Sequence, residues 1–415
     1  MSVPAVFERE SPGQAQPESV SVWSVLLVAA FAFCLYGATF VMFRASSRAE
    51  VFNYHAFLAE AFLGGSLSLI SQPPTLLDLS QYQGKLYLYW GPMPAIVLMP
   101  LVMIFGVNWS DAWLTLVLAT ISTTLMFVLL QRTRSLHGLS QGAIVLLTFT
   151  YGFGSPQYPL AVDGTVWFVS QLFTSVFLTS ALICVLREDV SPKHIALGGL
   201  FMGMACLTRA SVLGAVVWLF LYILLLSWRL TWSISTTISR VCCALAPLTL
   251  LAGGIGWYNY ARFGSFLETG VSYHQADPIF AENIKRFGVF SLHYLERNFY
   301  YHYVAYPYPI SQETLVGGSL FLLTPLYFAA FNSIWSPRNR LLVMLTWATC
   351  ALLAIPSLLV CGTGEVQLGP RYTLDYAPFF LLLVAMGLRS IPVQVMALLA
   401  GVSFLQYFYG LFAIS

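Results

Sequence analysis

Charge is what this chain has least of. Only 9% of its 415 residues are Asp, Glu, Lys or Arg and 58% are apolar, whereas a soluble globular domain carries about 25% charged residues. So few charges cannot clothe a water-soluble surface, which excludes a soluble enzyme and places most of the chain in a bilayer. The 19 basic and 17 acidic residues nearly cancel, and the net charge selects no partner; nothing points to nucleic acid. A disulfide or metal framework is missing as well. Cys34, Cys184, Cys206, Cys242, Cys243 and Cys350 lie in or against apolar runs, and Cys361 sits near a helix end. None of these spacings matches a metal or disulfide pattern, so they read as small core residues. His293, Glu296 and His302 lack a recognised zinc spacing. No cofactor is required by the sequence, and a divalent metal is left open without being favoured. The stretches "CGTG" and "GFGS" lack the strand-to-helix setting of a nucleotide loop and read as turns.

Long apolar runs are what the chain has instead. Residues 1–20 are polar, contain proline and read as a disordered cytoplasmic tail; residues 21–415 read as a single transmembrane domain. The tail carries Glu8, Glu10 and Glu18 where a secretory signal would be basic, so the apolar run from Val22 to Phe43 is expected to be a retained first span. Eleven spans are expected in all, at about 22–43, 110–131, 142–158, 164–186, 195–208, 210–228, 241–258, 314–333, 341–361, 373–388 and 391–410. With the amino terminus inside, the short inner connections hold Arg132 and Arg134, Arg187 and Lys193, Arg229 and Arg240, Arg338 and Arg340, and Arg389. That is the positive-inside pattern; only Arg44 and Arg48 oppose it. Twelve of the 17 acidic residues then fall outside.

This arithmetic also assigns the segment from Met93 to Val107. As a helix its 15 residues reach roughly 22 Å, short of a hydrocarbon core about 30 Å thick, and counting it as a span would move every later basic loop to the wrong side. It is expected to lie along the outer interface, and Pro92, Pro94 and Pro100 suit a broken interfacial helix. By the same reasoning the long apolar stretch around Arg209 is two helices meeting at that residue. An arginine there is costly unless paired, which makes it a functional candidate; snorkelling to lipid phosphates is the plainer alternative. The two long outer segments are 44–109 and 259–313, and any chemistry belongs there.

The residues that carry a family resemblance occur in a fixed order. They are "FNYHAFLAEAFLGGSLSL", "LLDLSQYQGKLYLYWGPMPAIVLMP", "GTVWFVSQLF", "CLTRASVLGA", "WYNYARFGSFLETGVSY", "FSLHYLERNFYY", "GGSLFLLTPLYFAA" and "GEVQLGPRYTLDYAPFFLLL". Together they resemble bacterial polytopic glycosyltransferases of the GT-C superfamily, within it the proteins similar to dolichyl-phosphate-mannose protein mannosyltransferases and the lipid A aminoarabinose transferase. The resemblance covers about residues 22–390. It implies an all-α polytopic membrane fold whose first outer loop is built on two juxtamembrane helices, at positions 51–63 and 92–107. It further implies transfer of a sugar from a polyprenyl-phosphate donor at the outer leaflet, usually with inversion and generally without a metal. Many members open that loop with an acidic pair, whereas "RASSRAEVFNYH" offers a single Glu50.

Such a transfer needs a base for the attacking hydroxyl and positive charge for the departing phosphate. One carboxylate base suffices for inversion and contributes about 10²–10⁴-fold. Glu50 is the first candidate base; a solvated carboxylate beside Arg48 is the plain alternative. Asp78 is the second, with a turn or N-cap role as the alternative, and Asp163 reads mainly as a helix-start acid. Lys85, Arg262 and Arg371, with Arg209 behind them, are the candidate phosphate ligands, arginine being suited to bidentate contacts. His55, Tyr82, Glu268, Gln367 and Asp375 are candidate substrate contacts. Asp375 stands one helical turn beyond Arg371 and equally suits an ion pair with it; Glu268 and Gln367 equally suit loop packing. The tyrosine-rich segment "SLHYLERNFYYHYVAYPYP" reads as an interfacial aromatic belt or as a stacking surface for sugar or isoprenoid. The expected partners are thus a polyprenyl-phosphate-linked sugar, a glycan, lipid or protein acceptor, and the lipids of the plasma (inner) membrane. A flippase of a lipid-linked glycan would place ionisable groups at mid-membrane, where this sequence has almost none. A non-catalytic partner in envelope glycan assembly would tolerate loss of Glu50 and Asp78 alike.

Overall fold

The computed structural model describes residues 20–43, 51–108, 110–187, 190–311, 314–335, 339–364 and 367–414. Glu50, Arg44, Arg48 and Arg338 lie outside the described residues. Nine of the eleven expected spans each contain one continuous helix, and those at 142–158 and 314–333 are interrupted. Among the described residues seven helices are long and apolar enough to cross a membrane, and the chain is a multi-pass membrane protein. Helix α1 (Val22–Phe43) is followed by α2 (Tyr54–Leu63), the hairpin β1 (Ser80–Tyr82) and β2 (Lys85–Tyr87), and α3 (Met93–Phe105). The bundle continues with α4 (Asp111–Arg132), α5 (Gln141–Phe153), α6 (Gln157–Val162), α7 (Val166–Val185), α8 (Pro192–Thr208), α9 (Gly214–Arg229) and α10 (Ile234–Phe263). After the second long loop, which holds α11 (Pro278–Phe287), come α12 (Arg340–Leu359), α13 (Ala377–Gly387) and α14 (Val393–Ile414).

The two juxtamembrane helices form where the resemblance implies them, and α2 packs on α3. Helix α3 is short because Pro92 starts it and Gly106, at φ 69°, ends it. The span expected at 314–333 is corrected: it is a chain of short pieces, Leu320–Leu323, Pro325–Phe328, Ala329–Asn332 and Ser333–Trp335. Pro325 has no N–H to continue a helix, and the Thr324 hydroxyl donates to the Gly154 carbonyl (2.7 Å) on α5's end. Gly154 and Pro156 likewise divide the expected 142–158 span into α5 and α6.

The centre of the bundle is tied by hydroxyls. Tyr36 of α1 donates to the Gly152 carbonyl (2.8 Å), the Gln157 amide donates to Thr123 (2.8 Å), and Tyr151 bonds both Ser122 (2.7 Å) and Ser175 (2.6 Å). These bonds satisfy polar side chains and a helix-end carbonyl within the apolar interior and contribute to helix association in lipid. The two ends of the bundle differ. At one end Arg229 donates to Asn339 (3.1 Å) and Arg389 lies beside Gly138, so the basic connections gather there. The opposite end collects residues 51–108, 163–165, 209–213, 264–311, 314–319, 360–364 and 367–376, and among the described residues it holds most of the acidic side chains.

Candidate functional site

Four of those connections converge. Asp78 stands in the loop before β1 with φ 61°, a left-handed conformation that Asp tolerates better than most residues and that often marks a functional site. Its backbone N–H donates to the Gln275 carbonyl (2.9 Å). Its carboxylate accepts from the Trp167 indole N–H at Oδ2 (3.0 Å) and meets His274 Nε2 at Oδ1 (2.8 Å). Trp167 is presented by the first turn of α7, and His274 is held by a bridge to Ser80 of the hairpin. Asp78 is thus a turn residue and not an N-cap, but its carboxylate is engaged by two side chains. It is the hub of three segments distant in sequence.

Tyr89 joins this hub to a cluster of cations. Its ring sits edge-on to His274 (centroids 4.8 Å apart) and stacks on Trp90 (4.0 Å). Burial raises the Tyr89 hydroxyl well above its ordinary value, with Asp78 adding to the rise and Arg209 and Arg371 opposing it; all three charges thus reach one side chain. Gly91 sets the register: a Cβ there would lie 1.8 Å from the Leu207 carbonyl oxygen, so the loop runs directly against the end of α8 that delivers Arg209.

Arg209 is paired, and the pairing corrects one expectation. Asp375 does not bind Arg371, its neighbour in sequence, but Arg209, through Nε to both carboxylate oxygens (3.0 and 3.3 Å) and Nη2 to Oδ2 (3.1 Å). Ser211 donates to the same oxygen (2.8 Å). Burial alone would lower the Arg209 guanidinium's pKa; the Asp375 carboxylate more than offsets this and holds it above the ordinary arginine value. Arg371 donates from Nη2 to the Gly364 carbonyl (2.9 Å) and lies over the rings of Phe168 (5.3 Å) and Tyr372 (4.9 Å). Arg209 also reaches the Tyr372 ring (5.7 Å), so two guanidinium groups share one aromatic neighbour.

The remaining candidates are placed elsewhere or engaged in packing. Arg262 is buried, donating to the Leu88 carbonyl (2.8 Å) and to Asn259 (2.9 Å), with its guanidinium 3.7 Å above the Tyr258 ring. It clamps the hairpin's exit to the end of α10. Glu268 accepts from the Gly270 N–H (2.6 Å) and closes that turn. Gln367 donates to the Thr363 carbonyl (2.6 Å) and packs with Arg371 against Gly364. Tyr82 packs on Tyr273 and Phe263. Lys85 stands exposed on β2; among the described residues no hydrogen bond or ion pair joins it to the arginine cluster. His55 is fully buried and bonds Ser170 (3.0 Å). His293 stacks on Phe287 and His302 turns to the Thr363 carbonyl, and among the described residues no group of three His, Cys, Asp or Glu is arranged to hold a metal. Residues 163–165 lead into α7, and Asp163 ends α6.

Three buried histidines make stability depend on pH. Burial takes His55 down to about 3, and His137 and His302 down to about 4. The folded chain keeps them neutral, whereas the unfolded chain protonates them below about 6.5. Their contribution is therefore complete above that value and is lost as pH falls towards 4. Between pH 6.5 and 5 each is expected to remove about 2 kcal/mol. Melting of the detergent-solubilised chain should show the slope, and His55→Gln should flatten it by about one third.

No family model matches the chain, and no curated protein matches it in sequence. Solved structures do match it in fold. The structure of ArnT from Cupriavidus metallidurans bound to undecaprenyl phosphate aligns at TM-score 0.51 and 16% identity, over 90% of this chain and 61% of that one. The apo Archaeoglobus fulgidus oligosaccharyltransferase aligns at TM-score 0.55 and 12% identity, over 94% of this chain and 56% of that one. The chain thus spans less than two thirds of either protein, at 61% and 56% of their lengths. Both are GT-C glycosyltransferases, and the architecture that places Asp78, Tyr89, Arg209 and Arg371 at one end of this bundle is the GT-C fold.

Proposed function

We propose that this chain is a glycosyltransferase that moves a sugar from a polyprenyl-phosphate donor to a hydroxyl acceptor on the outer face of the membrane, with inversion. One observation carries the reading. A hydrogen-bonded carboxylate and histidine stand on one side of Tyr89, and two guanidinium groups that share the Tyr372 ring are within electrostatic reach of the same tyrosine. Proton acceptance at one pole and phosphate charge at the other are the two requirements of displacement at a sugar carbon bonded to phosphate. The basic connections at the opposite end support an outward-facing site. The undecaprenyl phosphate bound by ArnT supports a polyprenyl-phosphate donor here.

In this reading Arg371 and Arg209 receive the phosphate. Arg209 has Nε and Nη2 committed to Asp375, which fixes the plane of its guanidinium and with it the direction in which Nη1 can donate to a ligand. The full chain, reconstituted in vesicles with a labelled polyprenyl-phosphate hexose, N-acetylhexosamine or pentose and membrane acceptors, is expected to form a new glycosidic bond. Arg371→Ala is expected to lower kcat/KM by about 10²-fold or more. Redistribution of the lipid between leaflets with no glycosidic product would replace this reading with transport.

A further inference from the structure

We infer that His274 receives the acceptor's proton and that Asp78 is the residue that positions it. The inference rests on the glycosyltransferase reading and names the group that performs its proton step. Both oxygens of Asp78 already accept hydrogen bonds, Oδ2 from Trp167 (3.0 Å) and Oδ1 from His274 (2.8 Å). The carboxylate is acceptor-only, so the nitrogen facing it, Nε2, carries the imidazole proton. That fixes the tautomer with an unprotonated Nδ1, and among the described residues Nδ1 makes no hydrogen bond. A carboxylate that orients an imidazole and stabilises its protonated form is the arrangement of an activated acyl-transfer site, here set into a loop cluster.

The surroundings suit a proton acceptor that stays accessible. The side chains of His274 and Asp78 are 15% and 17% exposed, whereas His55 and His302 are sealed. From the hairpin, Ser80 bridges His274 through the backbone and donates its hydroxyl to the Gly270 carbonyl, and Gln81 holds Gln275 (2.8 Å). Tyr89 covers one edge of the ring. The charged groups that face the histidine are thus Asp78 directly and, across Tyr89, Arg209 and Arg371; Glu268 is turned to the Gly270 N–H.

The step balances without a further reactant. As the acceptor oxygen forms its bond to the anomeric carbon, its proton passes to Nδ1 and the bond from that carbon to the phosphate oxygen breaks. The electron pair leaves on the polyprenyl phosphate, and the imidazolium later returns its proton to water. The Asp78 carboxylate, held against Nε2, stabilises the imidazolium while it exists.

The test is a pH profile of transfer by the full chain in vesicles, using the three labelled polyprenyl-phosphate sugars. Wild type is expected to lose kcat/KM tenfold per pH unit on the acidic limb. His274→Gln keeps a donor for Asp78 but has no base, and is expected to lose about 10²–10⁴-fold in kcat together with that limb. Asp78→Asn is expected to lower kcat with KM little changed, because Nε2 loses the acceptor that fixes the imidazole tautomer, and Asp78→Glu, which keeps a carboxylate acceptor, is expected to restore part of the rate; a merely structural residue would show neither the kcat-only loss nor the rescue. Glu50→Gln is expected to keep the limb. Melting of each variant reports folding, and His274→Asn replaces His274→Gln if the latter fails to fold. Retention of the acidic limb in a folded His274 variant, or activity within threefold of wild type, overturns the inference and leaves the glycosyltransferase reading intact. Absence of any transfer by wild type removes both.

Discussion

Arg209→Met is expected to destabilise the chain by about 3–5 kcal/mol, and the double variant Arg209→Met, Asp375→Leu to recover most of that loss without recovering transfer. Removing one partner of a buried ion pair strands the other charge in low dielectric, whereas replacing both with apolar groups of similar volume is often neutral. The geometry makes this pair a strong instance. Asp375 is 2% exposed and accepts from Arg209 at both oxygens and from Ser211. In the single variant one carboxylate is left with a lone hydroxyl donor. In the double variant no charge is stranded, yet the phosphate pole has lost one of its two cations. Unfolding free energies in detergent, taken with label transfer in vesicles, separate the two roles. Equal stability of the single and double variants would show that the pair does not hold 209–211 against 371–376.

Arg209 also shows how much of the site the sequence discloses. An arginine alone in a 35-residue apolar stretch announces a partner, because an unpaired one is too costly at that depth, but it does not announce which. Spacing points Asp375 towards Arg371 as a helical i,i+4 pair. Residues Arg371–Asp375 instead form a 3-10 turn, in which positions four apart do not share a face, and that frees Asp375 for a residue 166 positions away. The same distance problem hides His274, which lies 196 residues from Asp78 in "GVSYHQ" with no local pattern to single it out. Trp167, Tyr89 and Ser211 escape sequence reasoning for the same reason, although "GTVWF" and "YLYWGP" lie in stretches that carry the family resemblance. Helices are easier. Apolar run length, the prolines at 92, 94 and 100, and the sidedness of arginines are local properties, and they place α3 and the ends of the bundle, whereas α2 is placed only by the family resemblance. Glycines that mark a close approach stand between these cases. "WGP" reads as a turn, and only the packing reveals what the missing side chain makes room for.

Gly91→Ala tests that packing, and it is expected to cost about 3 kcal/mol of stability and about 10²-fold in transfer rate. The new Cβ would lie 1.8 Å from the Leu207 carbonyl oxygen and 2.8 Å from that of Thr208. Both are backbone atoms at the end of α8, so no side-chain rotation relieves the overlap. The loop must retreat from the helix, carrying Tyr89 away from Arg209 while the hairpin, tied through Ser80 to Gly270 and His274, stays in place. The two poles of the site then separate by a fraction of the overlap, and a displacement near 1 Å is enough for the rate effect. Gly254→Ala provides the contrast. That glycine lies inside α10, and an added methyl there would meet no neighbouring atom within 4 Å, so alanine is expected to be neutral or to stabilise by about 0.5–1 kcal/mol. If both substitutions behave alike in melting and transfer, the 89–91 loop does not set the distance between the proton-accepting and phosphate-binding poles.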